Sequence, residues 1–387
     1  MKRISSIDII RGLVMVIMAL DHVRDLMHVN ALTQSPTDLA TTTPLLFMTR
    51  WITYLCAPVF VFLAGTSSYL SFQKNKDVAS SRFHMIKRGL WLMLLDLVIM
   101  NFILYFDVQF HTILFSVVAS IGFGFILLGL LLNLSSIALG ALGSIILIGY
   151  GLYGIYIAEF GETVKSILNP FLTLSVFPFT TDKLFIVAYP PIPWLGIMLI
   201  GFSFGKMFAT DHAKRNEQFI TIGLTTIAVF ILLRYSNIYG DPQQWAFQKD
   251  TMTTILSFLN VSKYPPSLLF TLVTLGCMFL LLGVADRFNS SVQRILIVYG
   301  RVPLFYYVVH FLLIHFITLI MLRLQGVPFS EMEFATSTFG RPRNTETGVP
   351  LWMIIILWST VVAMLYLPCK WYWQYKQNNR NFLTRYF

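Results

Sequence analysis

Ten apolar runs follow one another along the chain, each about twenty residues long, with polar breaks between them. In a bilayer every backbone N–H and C=O needs a partner within the protein, which leaves helices and closed barrels as spanning structures. A barrel strand would show about ten residues of alternating polarity, whereas these runs are apolar throughout. The fold class that follows is all-α: a polytopic integral membrane bundle of about ten transmembrane helices, forming one domain over residues 1–387. The spans fall at 7–29, 45–73, 83–105, 111–133, 136–158, 186–209, 217–236, 264–286, 295–322 and 350–372. At 1.5 Å per residue each crosses a hydrocarbon core of ~30 Å. Residues 160–185 hold another apolar stretch, broken by Pro170 and Pro178, which reads as a re-entrant or interfacial piece. No repeat of 20–50 residues is visible.

Composition excludes a water-soluble globule. Charged residues make up 12% of the chain, against about 25% in soluble domains. The net charge of +10 would suggest nucleic acid in a soluble protein. Here the basic residues sit mainly in short loops on one side, where they set topology and touch anionic headgroups, so lipid is the expected partner and nucleic acid is not. With the N-terminus cytoplasmic, the inner segments carry Lys2, Arg3, Arg11, Lys74, Lys76, Arg82, Lys87, Arg88, Lys206, Lys214, Arg215, Arg287, Arg294, Arg301, Lys370, Lys376, Arg380 and Arg385. An even number of spans then leaves both termini cytoplasmic. Lys2 and Arg3 precede an apolar run without a small-residue cleavage site, so this run reads as the first retained span. Cys56, Cys277 and Cys369 lie within or at the end of apolar segments. Their scattered positions give neither a disulfide framework nor metal-ligand spacing, and no metal is expected.

Ionisable side chains at membrane depth are expensive and point to function. The first span concentrates them. Asp21, Arg24, Asp25 and His28 share the spacing i, i+3, i+4, i+7 and so one helix face, and His22 stands at i, i+3 to Asp25. A carboxylate beside a histidine orients the ring and raises its basicity; an intrahelical ion-pair cluster near the outer interface is the structural alternative. Further polar groups gather toward the same outer half. They are Arg50 and Trp51, then Asp96 and Asn101, then His111, the Tyr189-Pro190-Pro191 and Lys263-Tyr264-Pro265-Pro266 segments, His310 and His315. A polar cavity closed from lipid would satisfy them. His310 and His315 are five apart and do not share a helix face as metal ligands would. The inner half differs: Gly65, Thr66 and Ser67 are small, and Arg88 and Arg301 could meet phosphates from the cytoplasm. Helix packing and positive-inside anchoring account for the same residues without a ligand. Ser5-Ser6-Ile7-Asp8 reads as a capping box for the first helix, with Asp8 and Arg11 placed to pair. Walker, dinucleotide, His-Glu-x-x-His and nucleophile-elbow motifs are absent.

The sequence resembles a known group. Ser6-Ile7-Asp8-Ile9-Ile10-Arg11-Gly12 followed by Met18-Ala19-Leu20-Asp21-His22-Val23-Arg24-Asp25 is similar to the start of bacterial membrane proteins grouped with the heparan-alpha-glucosaminide N-acetyltransferase catalytic domain. The likeness continues through Thr49-Arg50-Trp51, Cys56-Ala57-Pro58 to Gly65-Thr66-Ser67, Tyr189-Pro190-Pro191-Ile192-Pro193-Trp194, Lys263-Tyr264-Pro265-Pro266 and Gly300-Arg301-Val302-Pro303 to His310. The resemblance implies a transmembrane acyltransferase of a bacterial inner membrane, taking an acyl group, by preference acetyl, from cytoplasmic acyl-CoA to an extracytoplasmic sugar or glycan. It also points to a homodimer. A functional histidine follows the first span of the lysosomal relative, and here His22 and His28 both stand in that region. On this reading His22 or His28 acts as base, supported by Asp21 or Asp25. Arg24, Arg50, Trp51, Asn101, His111, Tyr264 and His310 hold the acceptor, and Gly65, Thr66, Ser67, Arg88 and Arg301 hold the acyl-CoA. The competing class is a proton-coupled transporter or flippase, in which intramembrane charges and Pro-broken helices serve a substrate site.

Overall fold

The computed structural model describes residues 4–209, 212–335 and 338–379. Four of the basic residues assigned to the inner side, Lys2, Arg3, Arg380 and Arg385, lie outside the described residues. The chain is mostly helical, and among the described residues eight helical segments are long and apolar enough to cross a membrane. The first helix, α1 (Ser5–Met27), is excluded from these by its charges and not by its length. Its 23 residues span about 35 Å. The capping box does not form: Ile4 is the N-cap and makes no side-chain cap bond, and both serines lie within the helix.

Several spans are more broken than the apolar pattern suggests. The second is α2 (Pro44–Thr53) and α3 (Cys56–Asn75), joined through Tyr54 and Leu55. Thr43 caps α2 by accepting from the Leu46 N–H, with Pro44 at the first position, where a missing N–H costs nothing. The third is α4 (Val78–Leu94), a π-helical turn over Leu95–Met100, and α5 (Asn101–Tyr105). The fourth opens with a strand, β1 (Thr112–Phe115), before α6 (Val117–Leu130). After α7 (Ser136–Tyr156), the apolar stretch with Pro170 and Pro178 becomes a short helix without buried residues, α8 (Glu162–Leu172), then β2 (Ser175–Pro178) and β3 (Leu184–Val187). These strands form a small sheet in the order β1-β3-β2. Thr112 faces Leu184 in the parallel pair and Ser175 faces Val187 in the antiparallel one.

The second half continues with α9 (Pro191–Phe204), α10 (His212–Ser236), the loop helix α11 (Thr251–Leu259) and α12 (Leu268–Val284). The expected ninth span breaks at Val302 into α13 (Ser290–Arg301) and α14 (Pro303–Leu324), because Pro303 cannot continue the helix before it. The last helix is α15 (Leu351–Asn378).

Burial explains the centre of the bundle. Helix α1 packs against α2, α3, α12, α13, α14 and α15, and its Ile9, Ile10, Val14, Ala19 and Val23 are wholly buried. Close approach depends on glycine. A Cβ on Gly12 would lie 1.9 Å from the Leu296 carbonyl oxygen, and one on Gly300 would lie 1.8 Å from that of Asp8, so α1 and α13 touch backbone to backbone. Helix α15 runs antiparallel to α1. The Val349 N–H donates to the Met27 carbonyl at 2.8 Å, and the Trp358 indole donates to the Val16 carbonyl at 2.8 Å. The N-terminus of α1 and the C-terminus of α15 therefore leave the bundle at the same end.

Two fully buried arginines organise the long loops at the opposite end. Arg234 donates to the carbonyls of Phe258, Ser257, Asn260 and Gln243 at 2.5–2.9 Å, closing the loop around α11. Arg341 donates to the carbonyls of His28 (2.9 Å) and Val29 (3.2 Å), to the Thr347 hydroxyl (3.0 Å) and to the Thr347 carbonyl. Burial draws the Arg341 guanidinium down to about 10, so it stays charged at neutral pH.

Candidate functional site

The charged residues in the last two turns of α1 meet α2 at the loop-rich end. Asp21 accepts from Arg50 through both oxygens (2.8 and 2.9 Å), from the Thr53 hydroxyl (2.7 Å) and from Arg24. Asp25 accepts from Arg24 at 2.8 Å and lies 3.6 Å from Arg50. The Lys263 ammonium lies 3.9 Å from Asp21 and over the Tyr264 ring at 5.0 Å. Three cations thus surround two carboxylates, a net +1.

Beside this cluster is a cavity of about 210 Å³, lined by Asp21, His22, Asp25, Asp96, Asn101, Lys263, Tyr264 and Tyr307 among others. His22 faces it with its ring 4.0 Å from the Phe311 ring and 5.2 Å from that of His310. No hydrogen bond joins His22 to Asp21 or Asp25 among the described residues, so these carboxylates neutralise arginines and do not orient the ring. His310 is fully buried, its Nδ1 bonded to the Tyr306 carbonyl at 3.0 Å. A carbonyl only accepts, so Nδ1 carries the proton and the neutral ring keeps a lone pair on Nε2. That nitrogen has no hydrogen-bond partner among the described residues. Asn101 lines the cavity but is held by β1, donating to Leu114 O (2.9 Å) and accepting from Leu114 N (2.6 Å). Tyr264 shares a hydroxyl contact of 3.1 Å with Tyr189.

Other expected site residues stand elsewhere. His28 ends α1 in extended conformation, so it leaves the helix face shared by Asp21, Arg24 and Asp25. It lines neither this cavity nor the inner one. Its Nδ1 accepts from the Asn30 N–H at 3.3 Å. Trp51 donates to the Leu259 carbonyl at 3.1 Å. His111 is bound by Asp107 at 2.8 Å in the loop before β1. There burial works against ionisation of Asp107, but the backbone N–H groups of His111 and Gln109 outweigh it and hold the carboxyl below its usual value of 3.8.

A second cavity of about 290 Å³ lies toward the end where the termini leave. Arg11, Ser67, Arg88, Gly300, Arg301 and Lys376 help line it, with an apolar wall from α6. Arg11 donates to the Leu63 carbonyl at 3.0 Å and to the Ser67 hydroxyl. Arg301 pairs with Asp8 at 3.4 Å and stacks over Trp373 at 4.3 Å. Gly65 and Thr66 turn the other way. A Cβ on Gly65 would strike the Met198 carbonyl, and Thr66 donates to the Gly201 carbonyl at 2.9 Å, so both serve the α3–α9 contact.

Lys263, Asp96, Tyr189 and Tyr307 line the outer cavity without being among the expected site residues, and Arg11 and Lys376, expected as inner-side charges with Arg11 also placed to pair with Asp8, line the inner one. Lys263 carried one usable signal, a cation at the head of an apolar run beside Tyr-Pro-Pro. Among the described residues no three His, Cys, Asp or Glu side chains converge as metal ligands.

Fold and site together define a polytopic helical membrane protein with a polar cavity toward each end of a buried, charged first helix. Residues 3–236 match the catalytic family of heparan-alpha-glucosaminide N-acetyltransferase. The match covers more than half of the chain, which therefore belongs to this family of transmembrane acetyltransferases. Comparison with curated proteins gives no match. The matched segment runs from α1 to the end of α10, so Lys263, Arg301, Tyr307 and His310 lie beyond it.

Proposed function

We propose that the chain moves an acetyl group from acetyl-CoA, bound from the cytoplasm at the inner cavity, to a sugar or glycan acceptor in the outer cavity of a bacterial inner membrane. The observation that carries this reading is the division of labour along α1. Arg11 and Asp21 are ten residues apart, about 15 Å along one helix, and each stands in the wall of a different cavity. Arg11, Arg88, Arg301 and Lys376 suit the phosphates of a CoA, with Arg able to bind them bidentately. Ser67 lies on the path of the pantetheine arm.

In the outer cavity His22 acts as general base. It takes the proton of the acceptor amine or hydroxyl as the lone pair of that atom attacks the thioester carbonyl carbon. The C–S bond breaks, sulfur leaves as the CoA thiolate, and His22 returns the proton to it. Arg24 and Arg50, held by Asp21 and Asp25, keep the acceptor end of the cavity cationic. Lys263 and Tyr264 face the developing oxyanion, and His310 Nε2, behind the His22 ring, accepts a hydrogen bond from His22. The test incubates membranes containing the chain with radiolabelled acetyl-CoA and follows label into glycans. His22→Ala should lower transfer by about 10²–10⁴-fold, the usual range for a general base, while His28→Ala should stay within a few-fold of wild type. Full transfer by His22→Ala would remove His22 from the mechanism.

A further inference from the structure

The two cavities share part of their walls. Met18, Phe60, Val117 and Tyr307 line both, contributed by α1, α3, the first turn of α6 and α14. Met18 precedes His22 by one helical turn on the same face, and Tyr307 precedes Phe311, which packs on His22, by one turn of α14. The partition therefore sits about 6 Å to the inner side of His22. Apart from the Tyr307 hydroxyl it is apolar. From these positions we infer that the partition measures the acyl group, with Phe60 and Met18 restricting the donor to acetyl or propionyl.

The inference rests on the acyl-CoA reading of the inner cavity and names a specificity element within it. A base at His22 fixes where the acceptor atom stands, and the thioester carbon must lie ~3–3.5 Å from that atom. The sulfur side of the thioester leads to the inner cavity and the attacking acceptor fills the outer one. The acyl tail has one remaining direction, into the partition. Two of the four are restrained. Met18 is buried, and Val117 follows Ser116, whose N–H and hydroxyl are fixed to Asp96 at 2.9 and 2.6 Å. Packed interiors resist even one added methylene. Discrimination of roughly 10–200-fold is what such a pocket delivers against a methylene that exceeds it.

The experiment measures binding of CoA, acetyl-CoA and butyryl-CoA to the detergent-solubilised full chain by calorimetry, so no acceptor is needed. Wild type should bind CoA and acetyl-CoA comparably and butyryl-CoA at least tenfold more weakly. Phe60→Ala and Met18→Ala should each narrow the acetyl-to-butyryl ratio by tenfold or more, and Val117→Leu should widen it. The opposite signs keep the test informative if one variant fails to fold. Binding of CoA with no chain-length discrimination, or with a ratio unmoved by these variants, overturns the partition and leaves the acyl-CoA site standing. Failure of wild type to bind CoA at all overturns both.

Discussion

Asp21→Asn keeps the shape of the side chain and removes its charge. The Thr53 hydroxyl can still donate to the amide oxygen. Arg24, Arg50 and Lys263 then face Asp25 alone, whose side chain is 40% exposed. At an effective dielectric of about 20, each cation held near 4 Å loses ~4 kcal/mol of attraction. Relief from burying the carboxylate offsets part of this, and removal of one partner from a buried ion pair leaves a net loss of about 3–5 kcal/mol. At ~2 °C per kcal/mol for a chain of this size, the melting point should fall by roughly 6–10 °C. Buried Cys56 and Cys369 supply the assay, since a thiol-reactive fluorophore labels them only as the bundle opens. The double variant Asp21→Asn, Arg50→Gln should recover part of the loss, with a coupling of about 1–3 kcal/mol. Equal melting of Asp21→Asn and wild type would refute the claim that this cluster ties α1 to α2.

Gly300→Ala forces a Cβ into the Asp8 carbonyl, where 1.8 Å is available. It should destabilise by at least ~1–3 kcal/mol and, by shifting Arg301, weaken CoA binding measured by calorimetry. The Asp107 carboxyl, depressed in the folded loop, contributes stability that is whole above its unfolded value of 3.8 and is lost as pH falls through the lower folded value. Pepsin should therefore cut near Phe106 and Phe110 only at pH below about 4 in wild type, and already above that pH in Asp107→Asn.

Much of the architecture is legible from hydropathy because the bilayer permits so few solutions. The ten apolar runs correspond to helical segments, including the runs holding α1 and α6, which are too charged or too short to count by apolar length alone. Where the expectation fails, local chemistry intervenes. Pro303 splits the ninth run at Val302, and the fourth begins as β1 because its first residues pair with β3. Within the site, spacing correctly grouped Asp21, Arg24 and Asp25 on one helix face. It also placed His28 there, which requires the helix to continue one more residue, whereas the chain turns to pair with Val349. Lys263 and Tyr307 in the outer cavity, and Arg11 and Lys376 in the inner one, are invisible as pairs because they come from distant segments and share a cavity only through packing.

The most highly charged of the buried helices, α1, is the one that defines the site. Asp8, Arg11, Asp21, Arg24 and Asp25 would each cost several kcal/mol against lipid near the membrane centre, so α1 can exist only with protein on every side. Its encirclement by α2, α3, α12, α13, α14 and α15 is thus a consequence of its charges as much as of its apolar face. The one helix lines both cavities, with Arg11 in the wall of one and His22 in the wall of the other. Under the proposed reading, the protein need not rock a substrate site between two exposures, as a transporter does. Only the reacting carbon has to reach from the inner cavity to His22, and the partition at Met18, Phe60, Val117 and Tyr307 is where that reach is limited.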